Sequence, residues 1–232
     1  MAVDLRGVVT VLMPGTGSDD DFIRRAFAGP LQQAGAVLVA VQPRPADLLR
    51  GYAEAVREAA ARGPIAIGGV SLGAAFAAAW AVANPTQTVA VLAALPPWTG
   101  APGDAPAAAA ARHTAAMLRR DGLEPVIATM RAGSPGWLAD ELDRSWRAQW
   151  PGLPDAMDAA AGFAAPDTAA LSRLPVPLGV AGSPDDAVHP LAVAEHWART
   201  APRGALRTVT FEEFGPHPEA LGAACLAALK DC

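Results

Sequence analysis

The sequence predicts an α/β domain: a mostly parallel sheet of about six strands flanked by helices, with a helical insertion after the fourth strand. Three observations carry this. Short apolar runs rich in Val, Leu and Ile alternate with longer helical patterns. Within the runs, apolar residues follow one another without alternation, as strands covered on both faces require. Residues 98–165 break the rhythm and hold no strand pattern. The expected division is a core of 1–97 and 166–232, with 98–165 as a helical lid.

The first run, GVVTVLM at 7–13, stops at Pro14-Gly15, and three aspartates then open a helix over 20–34. AVLVAVQ at 36–42 ends at Pro43 and leads to a helix around 46–62. PIAIGG at 64–69 is the third strand, and AAFAAAWAVA continues as a helix to Asn84-Pro85. TVAVLAAL at 88–95 is the fourth. The insertion carries alanine-rich helical segments and Trp137, Trp146 and Trp150. Alternation resumes with PVPLGVAG at 175–182, a helix from Pro190 to Thr200, ALRTVTF at 205–211 and a last helix from Pro218.

Composition narrows the function classes. The chain has 232 residues, of which 52% are hydrophobic, enough for a sizeable core. A net charge of −5 gives no basic footprint for nucleic acid. No apolar stretch reaches the roughly 20 residues that span a bilayer, and the N-terminus lacks a signal-peptide pattern. Two cysteines, Cys225 and Cys232, suit a reducing compartment, so a cytoplasmic location is expected. No two histidines have metal-ligand spacing, so neither a metal nor another cofactor is expected.

The informative stretch is Gly69-Val70-Ser71-Leu72-Gly73, between an apolar strand and a long helix. Serine suits neither element, so something other than propensity places Ser71. A strand, a G-x-S-x-G turn and a helix together form the context of a nucleophile elbow. At these residues the chain resembles the α/β-hydrolase superfamily, and the order of its elements extends the resemblance over essentially the whole sequence. The usual N-terminal strand pair is missing from that order.

The resemblance implies further residues. An oxyanion loop after the first strand would be Met13-Pro14-Gly15-Thr16-Gly17-Ser18, with Pro14 where relatives often carry histidine. Its donor would be the main-chain N–H of Thr16 or Gly17, paired with that of Leu72. The acid follows Gly182 within Ser183-Pro184-Asp185-Asp186-Ala187-Val188-His189-Pro190. Spacing to the proline favours Asp186; spacing from the glycine favours Asp185, which stays as the alternative. The base would be His217, in the loop after the last strand. His189 is expected to line the pocket or to serve a structural role beside Pro190, and Trp98, Trp137 and Trp146 to supply apolar pocket walls or to pin the insertion to the core. Arg131, Arg144 and Arg147 are available to meet an anionic substrate group.

The resemblance therefore implies a serine hydrolase that cleaves an ester, thioester or lactone through an acyl-enzyme, acting on a small-molecule acyl substrate with an apolar part. Two alternatives stand beside it. One is elimination, acyl transfer or cyclisation at the same site; the other is a ligand-binding protein that kept the fold and lost turnover.

Overall fold

The computed structural model describes residues 3–232. Each predicted strand forms: β1 (Val9–Met13), β2 (Val37–Ala40), β3 (Ile65–Val70), β4 (Thr88–Ala94), β5 (Leu178–Gly182) and β6 (Gly204–Thr208). They make one sheet of order β2-β1-β3-β4-β5-β6, in which every pairing is parallel. The chain steps outward from β1 to β2, then returns across β1 to β3. That reversal puts a topological switch point between the carboxyl ends of β1 and β3, where open parallel sheets bind ligands.

Helices α1 (Asp20–Gln33), α2 (Leu48–Ala60) and α3 (Leu72–Ala83) follow the first three strands. α4 (Pro106–Asp121), α5 (Leu123–Ala132), α6 (Gly136–Gln149) and α7 (Leu153–Ala161) fill the interval between β4 and β5, with a single turn, α8 (Thr168–Leu171), before β5. α9 (Leu191–Thr200) joins β5 to β6; α10 (Phe211–Phe214) and α11 (Glu219–Lys230) close the chain.

Alternate residues of each central strand enter different cores. Val11, Met13, Ile65, Ile67, Val91 and Val180 pack under α2, α3 and α9, whereas Leu12, Ala66, Leu92 and Ala181 pack under α1 and α11. Period-2 geometry turns an uninterrupted apolar run into two half-cores, one per face. The edge strand β2 departs from the expected double cover, because Val37 and Val39 remain exposed. A third cluster, built on Leu118, Ile127, Trp146 and Met157, holds α4–α7 together.

Local chemistry sets two boundaries near the site. Asp19 caps α1, its Oδ1 accepting from the amides of Asp21 (3.1 Å) and Phe22 (3.2 Å). β6 ends at Thr208, short of the predicted 211, because Thr210 and Glu213 form a capping box that starts α10. Among the described residues, no helix is long and apolar enough to cross a membrane.

Candidate active site

Ser71 stands at the junction of β3 and α3 with φ 53° and ψ −115°, in a region that L-residues rarely occupy. The chain turns so sharply that the flanking positions must be glycine. A Cβ on Gly69 would lie 2.2 Å from the Met13 carbonyl oxygen, and one on Gly73 would lie 2.1 Å from the same atom. The Ser71 amide donates to the Ala94 carbonyl at 2.9 Å, which fixes the turn to β4. Strain held by such surroundings is a common mark of a reacting residue.

The loop after β5 brings two side chains to Ser71. Asp186 Oδ1 accepts from the amides of Val188 (2.8 Å) and His189 (3.0 Å), folding the loop back on the carboxylate. Asp186 Oδ2 then lies 2.7 Å from His189 Nδ1, and His189 Nε2 lies 2.9 Å from Ser71 Oγ. An ionised carboxylate only accepts, so Nδ1 carries the ring proton and Nε2 accepts from the serine hydroxyl. Burial pushes the Asp186 carboxyl up, but the ring and amide hydrogen bonds outweigh it and hold the group below its ordinary value. The Asp186 side chain is 3% exposed and that of His189 16%, so the acid is enclosed while the imidazole meets the cavity.

This corrects the expectation for His217. Its side chain is 72% exposed at the entrance to α11, where Nδ1 lies 3.6 Å from Glu219 Oε1. The loop after β6 instead turns into α10 and delivers Phe211 and Phe214 to the cavity. The imidazole that meets Ser71 comes from the loop after β5, one strand earlier than expected. The signal was the spacing Asp186-Ala187-Val188-His189, since three residues let an Asp-capped turn present a histidine to its own carboxylate.

Asp185 points elsewhere. It accepts from the Ser183 hydroxyl at 2.6 Å and from the Phe211 amide at 3.1 and 3.2 Å, so it ties the loop to α10. The Ser183 hydroxyl bond, with the Phe211 amide, holds its carboxyl below the usual value against desolvation.

The loop after β1 lies against the serine: a Cβ on Gly15 would be 3.3 Å from Ser71 Cβ. Residues 15–18 form a turn closed by Ser18 N to Gly15 O at 3.1 Å, with Gly17 at φ 75°. Thr16 faces the cavity, whereas Gly17 is covered by the Trp146 indole. Leu72 opens α3, where first-turn amides have no carbonyl one turn back to bond.

A cavity of about 360 Å³ opens above Ser71, within the size range of small-molecule sites. The core contributes Phe22, Leu95 and Val188, and the segment 107–161 contributes the opposite wall, including Trp137 and Trp146. Trp98 also lines it, and its Nε1 donates to the Phe163 carbonyl at 3.1 Å. Trp137 packs on Phe211 and Phe214 with centroids 5.6 and 5.4 Å apart. Among the described residues that line the cavity there is neither lysine nor arginine. The arginines expected to meet an anion are engaged otherwise: Arg131 with Asp140 and Asp143, Arg144 with Asp19, Asp21 and Glu141, and Arg147 with Glu124 and Asp143.

Asp19, Asp21 and Glu141 bring carboxylate oxygens within 4.8 Å of one another, the density a cation site would need. Arg25 and Arg144 pair with all three, so the group is an ion-pair network joining α1 to α6.

The sheet order, the serine turn and the helical interval after β4 define an α/β-hydrolase fold. Solved structures agree with it. A putative non-haem bromoperoxidase from Mycobacterium tuberculosis superposes with a TM-score of 0.71 at 20% identity, covering 96% of this chain and 91% of that one. An enol-lactonase from Burkholderia xenovorans gives 0.73 at 14% identity, over 97% and 91% of the two chains. A thermophilic esterase from Thermogutta terrifontis gives 0.66 at 19% identity, over 96% and 88%. No protein-family model and no curated protein sequence matches the chain. At these identities the likeness is one of fold.

Proposed function

We propose that the protein is a serine hydrolase that cleaves uncharged esters or lactones with an apolar acyl part, using Ser71, His189 and Asp186. The observation that carries this is the continuous hydrogen-bonded path from Asp186 Oδ2 through His189 to Ser71 Oγ, ending on a strained serine at the cavity floor. His189 Nε2 takes the hydroxyl proton as Ser71 Oγ attacks the acyl carbonyl, and Asp186 stabilises the imidazolium. The main-chain amides of Leu72 and of Thr16 or Gly17 hold the oxyanion, each donor worth about 3–4 kcal/mol in comparable sites. The imidazolium then protonates the leaving alcohol, and water repeats the sequence on the acyl-enzyme.

Helices α4–α7 act as the lid, their apolar residues excluding water over the acyl group. Lined mostly by apolar side chains and, among the described residues, without lysine or arginine, the cavity suits an apolar acyl group over an anionic one, and the esterase and the enol-lactonase among the structural neighbours agree with ester and lactone chemistry. The test is intact mass after treatment with a small alkyl fluorophosphonate. The expected result is one adduct on the wild type and none on Ser71→Ala; an unlabelled, folded wild type would sink the proposal.

A further inference from the structure

We infer that Ser145 and Gln149, on the helical insertion, are positioning residues that aim the Thr16 N–H at the oxyanion; the inference rests on the serine-hydrolase reading above. Ser145 is fully buried, and its hydroxyl donates to the Gly17 carbonyl, 128 residues away in sequence. Gln149, also buried, donates from Nε2 to the Ser18 carbonyl at 3.0 Å. Both bonds come from α6 and both end on the turn that lies against Ser71.

Peptide planarity converts these bonds into an orientation. In a trans peptide, C=O and N–H point in opposite directions across one rigid plane. The Gly17 carbonyl shares its plane with the Ser18 N–H, so Ser145 fixes where that N–H points. Ser18 N donates to the Gly15 carbonyl at 3.1 Å, and that carbonyl shares its plane with the Thr16 N–H. One hydroxyl therefore bears on two peptide planes, Gly17–Ser18 and, through the Ser18 N–H, Gly15–Thr16, and the second presents the Thr16 amide on its far side, next to a cavity that Thr16 lines. Hydrogen bonds in such a chain also polarise one another. From the other end, the buried Tyr52 hydroxyl donates to the Pro14 carbonyl at 2.9 Å, so the plane before Gly15 is held as well. The relay singles out Thr16, not Gly17, as the loop's oxyanion donor. Gly17 instead packs under Trp146, where an added Cβ would come 2.7 Å from the indole nitrogen.

A donor that is misaimed loses transition-state binding and leaves ground-state binding alone. The experiment compares Ser145→Ala and Gln149→Ala with wild type on three readouts: kcat and KM for 4-nitrophenyl hexanoate, inhibition by hexyl trifluoromethyl ketone, and the rate of fluorophosphonate labelling at Ser71. The ketone forms a tetrahedral adduct whose oxyanion needs the hole. The expected result for Ser145→Ala is a fall in kcat of about ten- to a hundredfold, as misplacement of a reacting geometry produces. KM should stay within about twofold, and inhibition by the ketone should weaken by the same factor as kcat. Gln149→Ala should show the same pattern at smaller amplitude and supplies the test if Ser145→Ala fails to fold. Unchanged kcat and ketone affinity in both variants, or a loss confined to KM, would overturn the inference while labelling of the wild type left the triad standing. No labelling of the wild type would take down both.

Discussion

The two loops that flank Ser71 are held in contrasting ways. The loop after β5 is built mainly from within: Asp186 caps its own turn and bonds its own histidine within four residues, and Asp185 adds a tie to α10. The loop after β1 is held almost entirely from outside, by Tyr52 of α2 and by Ser145 and Gln149 of α6. On the proposed reading, proton transfer is built locally, whereas charge stabilisation depends on how the insertion docks on the core. Damage to α6 should spare the first and impair the second.

The largest effects should separate the two histidines. Ser71→Ala and His189→Ala are each expected to lower ester turnover by about 10⁴- to 10⁶-fold, and His217→Ala to leave it near wild type. Steady-state kinetics with one ester on the three purified variants checks this. Loss of activity in His217→Ala with retention in His189→Ala would reverse the assignment.

The next comparison divides the adjacent aspartates. Asp186→Asn should cost about 10²- to 10⁴-fold in kcat, because the imidazole loses its orienting anion, while Asp185→Asn, which only loosens the tie to α10, stays within about tenfold. Asp186 also makes a pH prediction for stability. Its folded value is depressed, so its contribution is present above the ordinary carboxylate range and is lost as pH falls through the folded value. Melting temperature between about pH 5 and pH 2 should therefore fall less steeply in Asp186→Asn than in wild type. Equal slopes would show that the carboxylate is not stabilised by folding.

The smallest effect concerns the ion pairs between α1 and α6. Glu141→Gln removes a buried carboxylate from Arg25 and Arg144, whose side chains are 43% and 44% exposed. Solvent screening holds the expected cost to about 1–2 kcal/mol, read as a shift in the denaturation midpoint. A shift much above this would mean that the network carries the docking of α6 more than the two loop-directed hydrogen bonds do.

Most of the fold was legible in the sequence, because uninterrupted apolar runs between helical patterns specify a covered parallel sheet. β6 was read three residues too long, although Thr210-Phe211-Glu212-Glu213 carries the capping-box signature that ends it. The serine turn was legible because only glycine tolerates the Met13 carbonyl at positions 69 and 73. The histidine was misplaced because its expected position came from resemblance, whereas Asp186-x-x-His189 is a local pattern that propensity does not flag. The clamp on the loop after β1 was not legible. A serine and a glutamine on a helix look like ordinary surface residues until the tertiary fold buries them against Gly17 and Ser18.

Supplying the imidazole from the loop after β5 has a consequence for how this protein can diversify. On the proposed reading, the segment 209–217 carries no residue of the triad, yet Phe211 and Phe214 form part of the cavity wall. Substitutions there should reshape which acyl groups enter without passing through an inactive intermediate. If the triad is as proposed, a library confined to 209–217 should return altered substrate ranges at a far higher frequency than dead enzymes.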